Sequence, residues 1–236
     1  MAWKRLAVIG FIIGACVGLG AEQAGTPATL DDLEQRLETN ADDLATANAY
    51  RRVIIETGQY DRAIRFFGRL VGSHPTAANA YLNFGFAYVD KIPAAGAITQ
   101  VILANSALSH FTRSIDLRPS WIGFYTRGVS YLFWPKVFGR VPLGLQDLEK
   151  ALQMQRSGPR RSYHVRTFVA LGDGYWKGDD AQRARVIWRE GLKEFPGHSA
   201  LETRLRAEPA ALSTIIDEAF DPSRRVDTDL SELWSE

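Results

Sequence analysis

The sequence predicts an all-α protein, in which about four helix–turn–helix repeats stack into a superhelical solenoid closed by capping helices at both ends. Three observations predict it. Aromatic, Gly, Ala and Pro positions recur at a spacing of about 34 residues, and such self-similarity marks a stack of identical supersecondary units. Asp residues stand at the starts of the expected helices and Pro at several of their ends, the chemistry that opens and closes a helix. The 236 residues are 46% apolar and 23% charged with a single cysteine, Cys16, so one chain has no disulfide and no multi-thiolate zinc site to hold it together. The fold rests on packing. With 28 Lys and Arg against 27 Asp and Glu, the net charge of +1 supplies no cationic field for nucleic acid, which is excluded as a partner.

Residues 1–5 carry Lys4 and Arg5, and residues 6–20 are uncharged, a run shorter than the roughly 20 residues that a spanning helix needs. Residues 1–21 therefore read as a signal segment. Within it, Ile13-Gly14-Ala15-Cys16 resembles a bacterial lipobox, which implies lipid attachment at Cys16. Ordinary cleavage near Gly20 or Ala21, giving a soluble product, and retention as an uncleaved anchor are the alternatives. Each places the bulk of the chain outside the cytoplasm, on the periplasmic side of a bacterial envelope, with lipid tethering favoured. Residues 22–29, with Gly25 and Pro27, read as a tether. Residues 30–43 read as an N-terminal capping helix, because Thr29, Asp31 and Asp32 precede Leu33 and Leu37.

The repeat domain spans residues 44–197. Its clearest unit begins at Val165 and carries Phe168, Leu171, Gly172, Tyr175, Ala184, Trp188, Gly191 and Pro196. Gly172 and Ala184 let two helices approach, the aromatics fill the wedge between repeats, and Pro196 stops the second helix. The same register begins units at Leu44, Ala78 and Trp121. In the first, Arg51 stands where Gly is usual, so its helices are expected to sit slightly apart. In the second and third, the marks of the second helix arrive late, which places insertions between the helices at residues 92–103 and 133–142. Residues 198–220 read as C-terminal capping helices. The second of these presents Leu212, Ile215, Ile216, Ala219 and Phe220 on one face. Residues 221–236 are expected to be a flexible tail.

These residues at these spacings resemble the tetratricopeptide repeat (TPR) family, in the manner of an exported, lipoprotein-like bacterial member. The resemblance implies a right-handed superhelix whose first helices line a concave groove. Mapped onto this chain, that groove holds Asn48, Arg52, Leu82 and Phe86 from the first two repeats. Tyr125, Val129, Arg166 and Asp173 follow from the last two. Its middle is apolar, so the Lys, Asn and Arg clamp with which some family members bind acidic chaperone tails is not expected. An apolar groove has to be covered. The cover is either a piece of this chain, such as residues 209–220, or a hydrophobic peptide, helix or small ligand. Insertions in consecutive repeats emerge on one edge and should meet there. Ile98, Val101, Trp134 and Phe138 then form an apolar edge that either extends the helices and thickens the local core or touches a partner or membrane.

The chain offers little catalytic chemistry. His74, His110, His164 and His198 are far apart in sequence, so no metal site is expected. The pairs Asp31-Asp32, Asp42-Asp43 and Asp179-Asp180 lie at helix starts, where capping explains them. Gly172-Asp173-Gly174 follows no strand, which removes a phosphate-loop reading. The expectation is a non-enzymatic scaffold without cofactors. It would bind a protein or peptide through the groove or the insertion edge, reach the membrane through its N-terminus, and be open to self-association. The alternative is a periplasmic accessory of a solute transporter that holds a hydrophobic small molecule.

Overall fold

The computed structural model describes residues 28–234, which form eleven α-helices and four short 3-10 turns, with no strand among the described residues. The signal segment, Cys16 and residues 22–27 of the expected tether lie outside the described residues. No helix among the described residues is long and apolar enough to cross a membrane.

α1 (Leu30–Thr39) opens on a capping box: the Thr29 hydroxyl accepts from the Asp32 amide, and the Asp32 carboxylate accepts from the Thr29 amide. Leu30, Leu33 and Leu37 then seal the first hairpin. That hairpin is α2 (Leu44–Thr57) and α3 (Tyr60–Ser73), the second α4 (Ala78–Lys91) and α5 (Ala97–Leu117). The third is α6 (Trp121–Leu132) and α7 (Val141–Arg156), and the fourth α8 (Val165–Lys177) and α9 (Ala181–Glu194). α10 (Ser199–Arg206) and α11 (Pro209–Ala219) close the far end. Asp43 and Asp180 accept from the amides of Thr46 and Arg183 and so cap α2 and α9.

Small residues set the helix separation inside each hairpin. A Cβ on Gly172 would lie 2.1 Å from the Trp188 indole nitrogen, and one on Gly85 2.4 Å from the Phe111 ring. Only glycine lets those rings bury completely between their helices. Arg51 replaces this glycine in the first hairpin, and α2 and α3 indeed pack less closely than the helices of the other hairpins. Tyr50 fills that space against Phe66 and Phe67, at 5.1 and 5.7 Å between ring centroids.

The first insertion takes the helix-extending form, and the C-terminal segment departs from the sequence expectation. Most of the first insertion is not a loop: α5 begins at Ala97 and gains about two turns, because its 21 residues contain no Pro or Gly to interrupt them. The C-terminal segment is not loose. Thr228 and Leu230 are buried, and Leu230 joins Leu82, Phe86, Ala107 and Phe111 in a central core cluster.

Candidate binding groove

α2, α4, α6 and α8 stand side by side and present one face to the C-terminal segment that follows α11. α11 itself packs at one end, through Leu212, Ile216 and Phe220, with the Phe220 ring edge-on to Phe133 at 5.5 Å. Beyond it, residues 222–234 run along the groove, so the piece of this chain that covers the apolar face is the segment after residues 209–220, not that helix.

Arg51 organises the deep end of the groove. It is 1% exposed and donates to Asn83, Asp90, Asn48 and Thr228 at 2.9 to 3.1 Å, with a further bond of 2.7 Å to the Thr228 carbonyl. The Thr228 hydroxyl in turn donates to Asp90 at 2.5 Å. Asn48 reads the next two residues. Its amide nitrogen donates to Asp229 at 2.8 Å, and its oxygen accepts the backbone N–H of Leu230 at 3.0 Å. Burial alone would raise the Asp229 carboxyl, but bonds from Asn48 and Ser231 and the charge of Arg52 hold it below the usual carboxylate range. At the other end, Arg166 pairs with Glu232 at 2.7 Å. The segment is therefore held by its backbone, by a buried leucine and by both of its flanking carboxylates.

The groove residues expected from the sequence separate into three roles. Asn48, Arg52 and Arg166 contact the segment directly. Leu82 and Phe86 are buried beneath it around Leu230, and the Arg51 guanidinium lies 4.5 Å over the Phe86 ring. Tyr125 and Val129 line a remaining cavity, where burial pushes the Tyr125 phenol up to about 12. Asp173 is not open to the groove. It is 2% exposed and takes both forks of Arg204 from α10, at 2.5 and 2.6 Å, so it fastens the C-terminal cap.

The cavity measures about 400 Å³ and is chiefly apolar, bounded by α4, α5, α6, the second insertion and the C-terminal segment. Phe86, Val89, Ile122, Val129 and Phe133 form its floor, and Ala97, Val101 and Phe138 its outer rim. Ile98, Val101 and Phe138 are exposed on the insertion edge. Trp134 is 7% exposed instead: it packs against Phe138 at 5.6 Å and carries the Arg140 guanidinium 3.6 Å over its ring. Among the described residues no group of three or more His, Asp or Glu is placed to hold a metal ion.

Sequence reasoning missed Asn83, Thr228, Asp229, Leu230 and Glu232, and took Arg51 only as a spacing defect. One signal was present: a buried position occupied by Arg demands a carboxylate partner. The apolar Leu230 and Leu233 inside a polar tail were the other.

With this geometry described, likeness to known proteins identifies the fold. Tetratricopeptide repeat protein 13 of Homo sapiens is 28% identical over 173 residues, 73% of this chain but 17% of that relative, so the chain corresponds to a minor part of its length. A thermophilic TPR protein of Thermus thermophilus superposes with a TM-score of 0.56 at 19% identity, covering 78% of this chain and 89% of the other. YrrB, described as a TPR protein with an unusual peptide-binding site, superposes at 0.52 with 16% identity, covering 87% and 90%. No family model matches the chain. The fold is that of the TPR solenoids.

Proposed function

We propose that this chain is a protein-interaction scaffold of the TPR family that holds an extended peptide along its concave groove, and that its own C-terminal segment is the occupant until a partner displaces it. The observation that supports this is the mode of holding. Asn48 and Arg51 bond the backbone of residues 228–230, Leu230 enters an apolar seat, and Arg52 and Arg166 meet the carboxylates of Asp229 and Glu232. Backbone bonds supply affinity and spaced side-chain sites supply specificity in such recognition. The favoured partner peptide thus carries an acid, a leucine and a second acid at the spacing of Asp229, Leu230 and Glu232.

The test is fluorescence anisotropy with a labelled peptide of residues 225–236 and a chain ending at residue 221, its helicity checked by circular dichroism. The shortened chain should bind the peptide, and Asn48→Ala or Arg166→Ala should weaken binding about tenfold, the loss of one charge-assisted or buried hydrogen bond. The full chain should bind more weakly still, because its tethered segment competes at high effective concentration. A folded shortened chain indifferent to the peptide would remove the proposal.

The proposed setting is the periplasmic side of a bacterial envelope, with the chain tethered by lipid at Cys16. The order of cationic start, uncharged run and single cysteine supports it, and the mass of the mature N-terminus tests it. A second reading rests on the 400 Å³ cavity, which falls in the size range of small-molecule sites, about 300 to 1,000 Å³. On that reading the chain serves a solute transporter by holding a hydrophobic molecule. Native mass spectrometry of gently purified protein would show the bound mass.

A further inference from the structure

Nine large apolar side chains are markedly exposed among the described residues, and six of them sit together on one edge. Ile98, Val101 and Ile102 share one face of the first turns of α5, while Val137, Phe138 and Leu143 project from the second insertion and the start of α7. The two segments are joined across the edge by the Arg140 guanidinium, which donates to the Asn105 side-chain oxygen at 3.1 Å. Val137 is 87% exposed and Ile98 82%, values that neither a core nor an ordinary loop explains.

The charge pattern identifies what fits this edge. Residues 92–109 contain no charged side chain, and residues 133–146 contain Lys136 and Arg140 but no acid. Asp179 pairs with Lys136 from the α8–α9 turn, while Asp227, Asp229 and Glu232 lie on the inner side of the edge, along the cavity, with Asp229 and Glu232 paired to Arg52 and Arg166. Arg140 lies flat on Trp134, so a cation and an aromatic ring sit directly behind the protruding aliphatic groups. Apolar side chains in front, a cation and an indole just behind, and no acid within either segment describe a surface that enters the headgroup and upper acyl region of an anionic bilayer. The segment preceding the described residues, with Lys4, Arg5 and the uncharged run 6–20, is itself suited to such a membrane.

We propose that the insertion edge seats on an anionic lipid surface, with Ile98, Ile102, Val137 and Phe138 dipping into it and Lys136 and Arg140 at headgroup level. The edge borders the cavity beside the groove through Val101 and Phe138 but supplies none of the bonds that hold residues 228–232, and it takes from the proposed function only that a membrane is near.

The test uses the chain from residue 22 onward, which keeps every described core residue and drops the N-terminal run. It is sedimented with vesicles of phosphatidylcholine containing phosphatidylglycerol. The unaltered protein should bind, and should bind several-fold less to phosphatidylcholine alone or at raised salt. Ile98→Asp with Phe138→Asp should reduce binding about tenfold or more with an unchanged melting temperature, since both positions are exposed. Val186→Asp, at an exposed valine on α9, should bind as before. Absent vesicle binding, a double variant that binds normally, or an edge that proves to join two copies by analytical ultracentrifugation would each overturn the proposal. Peptide binding in the groove should be unaffected by these substitutions, so failure here and failure of the groove reading are separable.

Discussion

Arg51 is a fully buried cation, and its worth lies in what it leaves behind when removed. Arg51→Ala strands the Asp90 carboxylate and frees the Thr228 carbonyl, so chemical denaturation should show a loss of about 3–5 kcal/mol. Removing Asp90 as well should cost less than the sum of the two single changes, the signature of a coupled pair. Gly172→Ala tests close packing: the methyl group collides with a Trp188 ring enclosed on every side, and a loss of about 1–3 kcal/mol is expected from the same measurement. His110 stacks on Phe84 at 4.0 Å between centroids, and burial lowers its pKa from 6.5 to about 4. The unfolded chain therefore takes up a proton before the folded one does. Stability contributed by the neutral ring is present above pH 6.5 and is lost as pH falls from there to about 4. His110→Phe should flatten that slope in melts taken across the same window.

At the scale of elements, the insertions are where position decides effect. Trp134 and Phe138 are four residues apart and both aromatic, yet one is a core residue and the other a surface one. Trp134→Ser should lower stability by about 3 kcal/mol or more, whereas Phe138→Ser should change it by about 0.5 kcal/mol or less. Thermal melts of the two single variants settle this, and equal effects would refute the placement of the indole beneath the edge. The insertions of repeats two and three meet on one side of the stack, where Arg140 donates to Asn105. α5 answered by extending as helix, and the next connection by a 3-10 turn closed by Gly139 at φ 66°, a left-handed value that glycine adopts without strain.

Over the whole molecule, the C-terminal segment changes what kind of solenoid this is. A repeat array is held by contacts between neighbours, and such arrays lose cooperativity as they lengthen. Here residues 228–232 touch α2 through Asn48 and Arg51, α4 through Asp90 and α8 through Arg166, so the first and last repeats share one clasp. Removing residues 222–236 should broaden the urea transition or split it, as well as lower its midpoint; an equally steep transition would show that the clasp does not couple the ends. The sequence by itself determined the helical hairpins, their number and much of their register, because Gly, Ala, aromatic and Pro positions act locally and repeat. The late second-helix marks located the insertions, and the resemblance to the TPR family, not periodicity, pointed to Asn48, Arg52 and Arg166, which contact the C-terminal segment. Only the tertiary structure decided that Asp173 belongs to the cap, that Trp134 is buried, and that the polar tail crosses the groove. Asp173 and the tail depend on partners far away in the chain, Arg204 and Arg51, and long-range pairing of single polar groups leaves no period to read; Trp134 is covered by Phe138 and Arg140 of its own insertion, which repeats nothing and so has no period either.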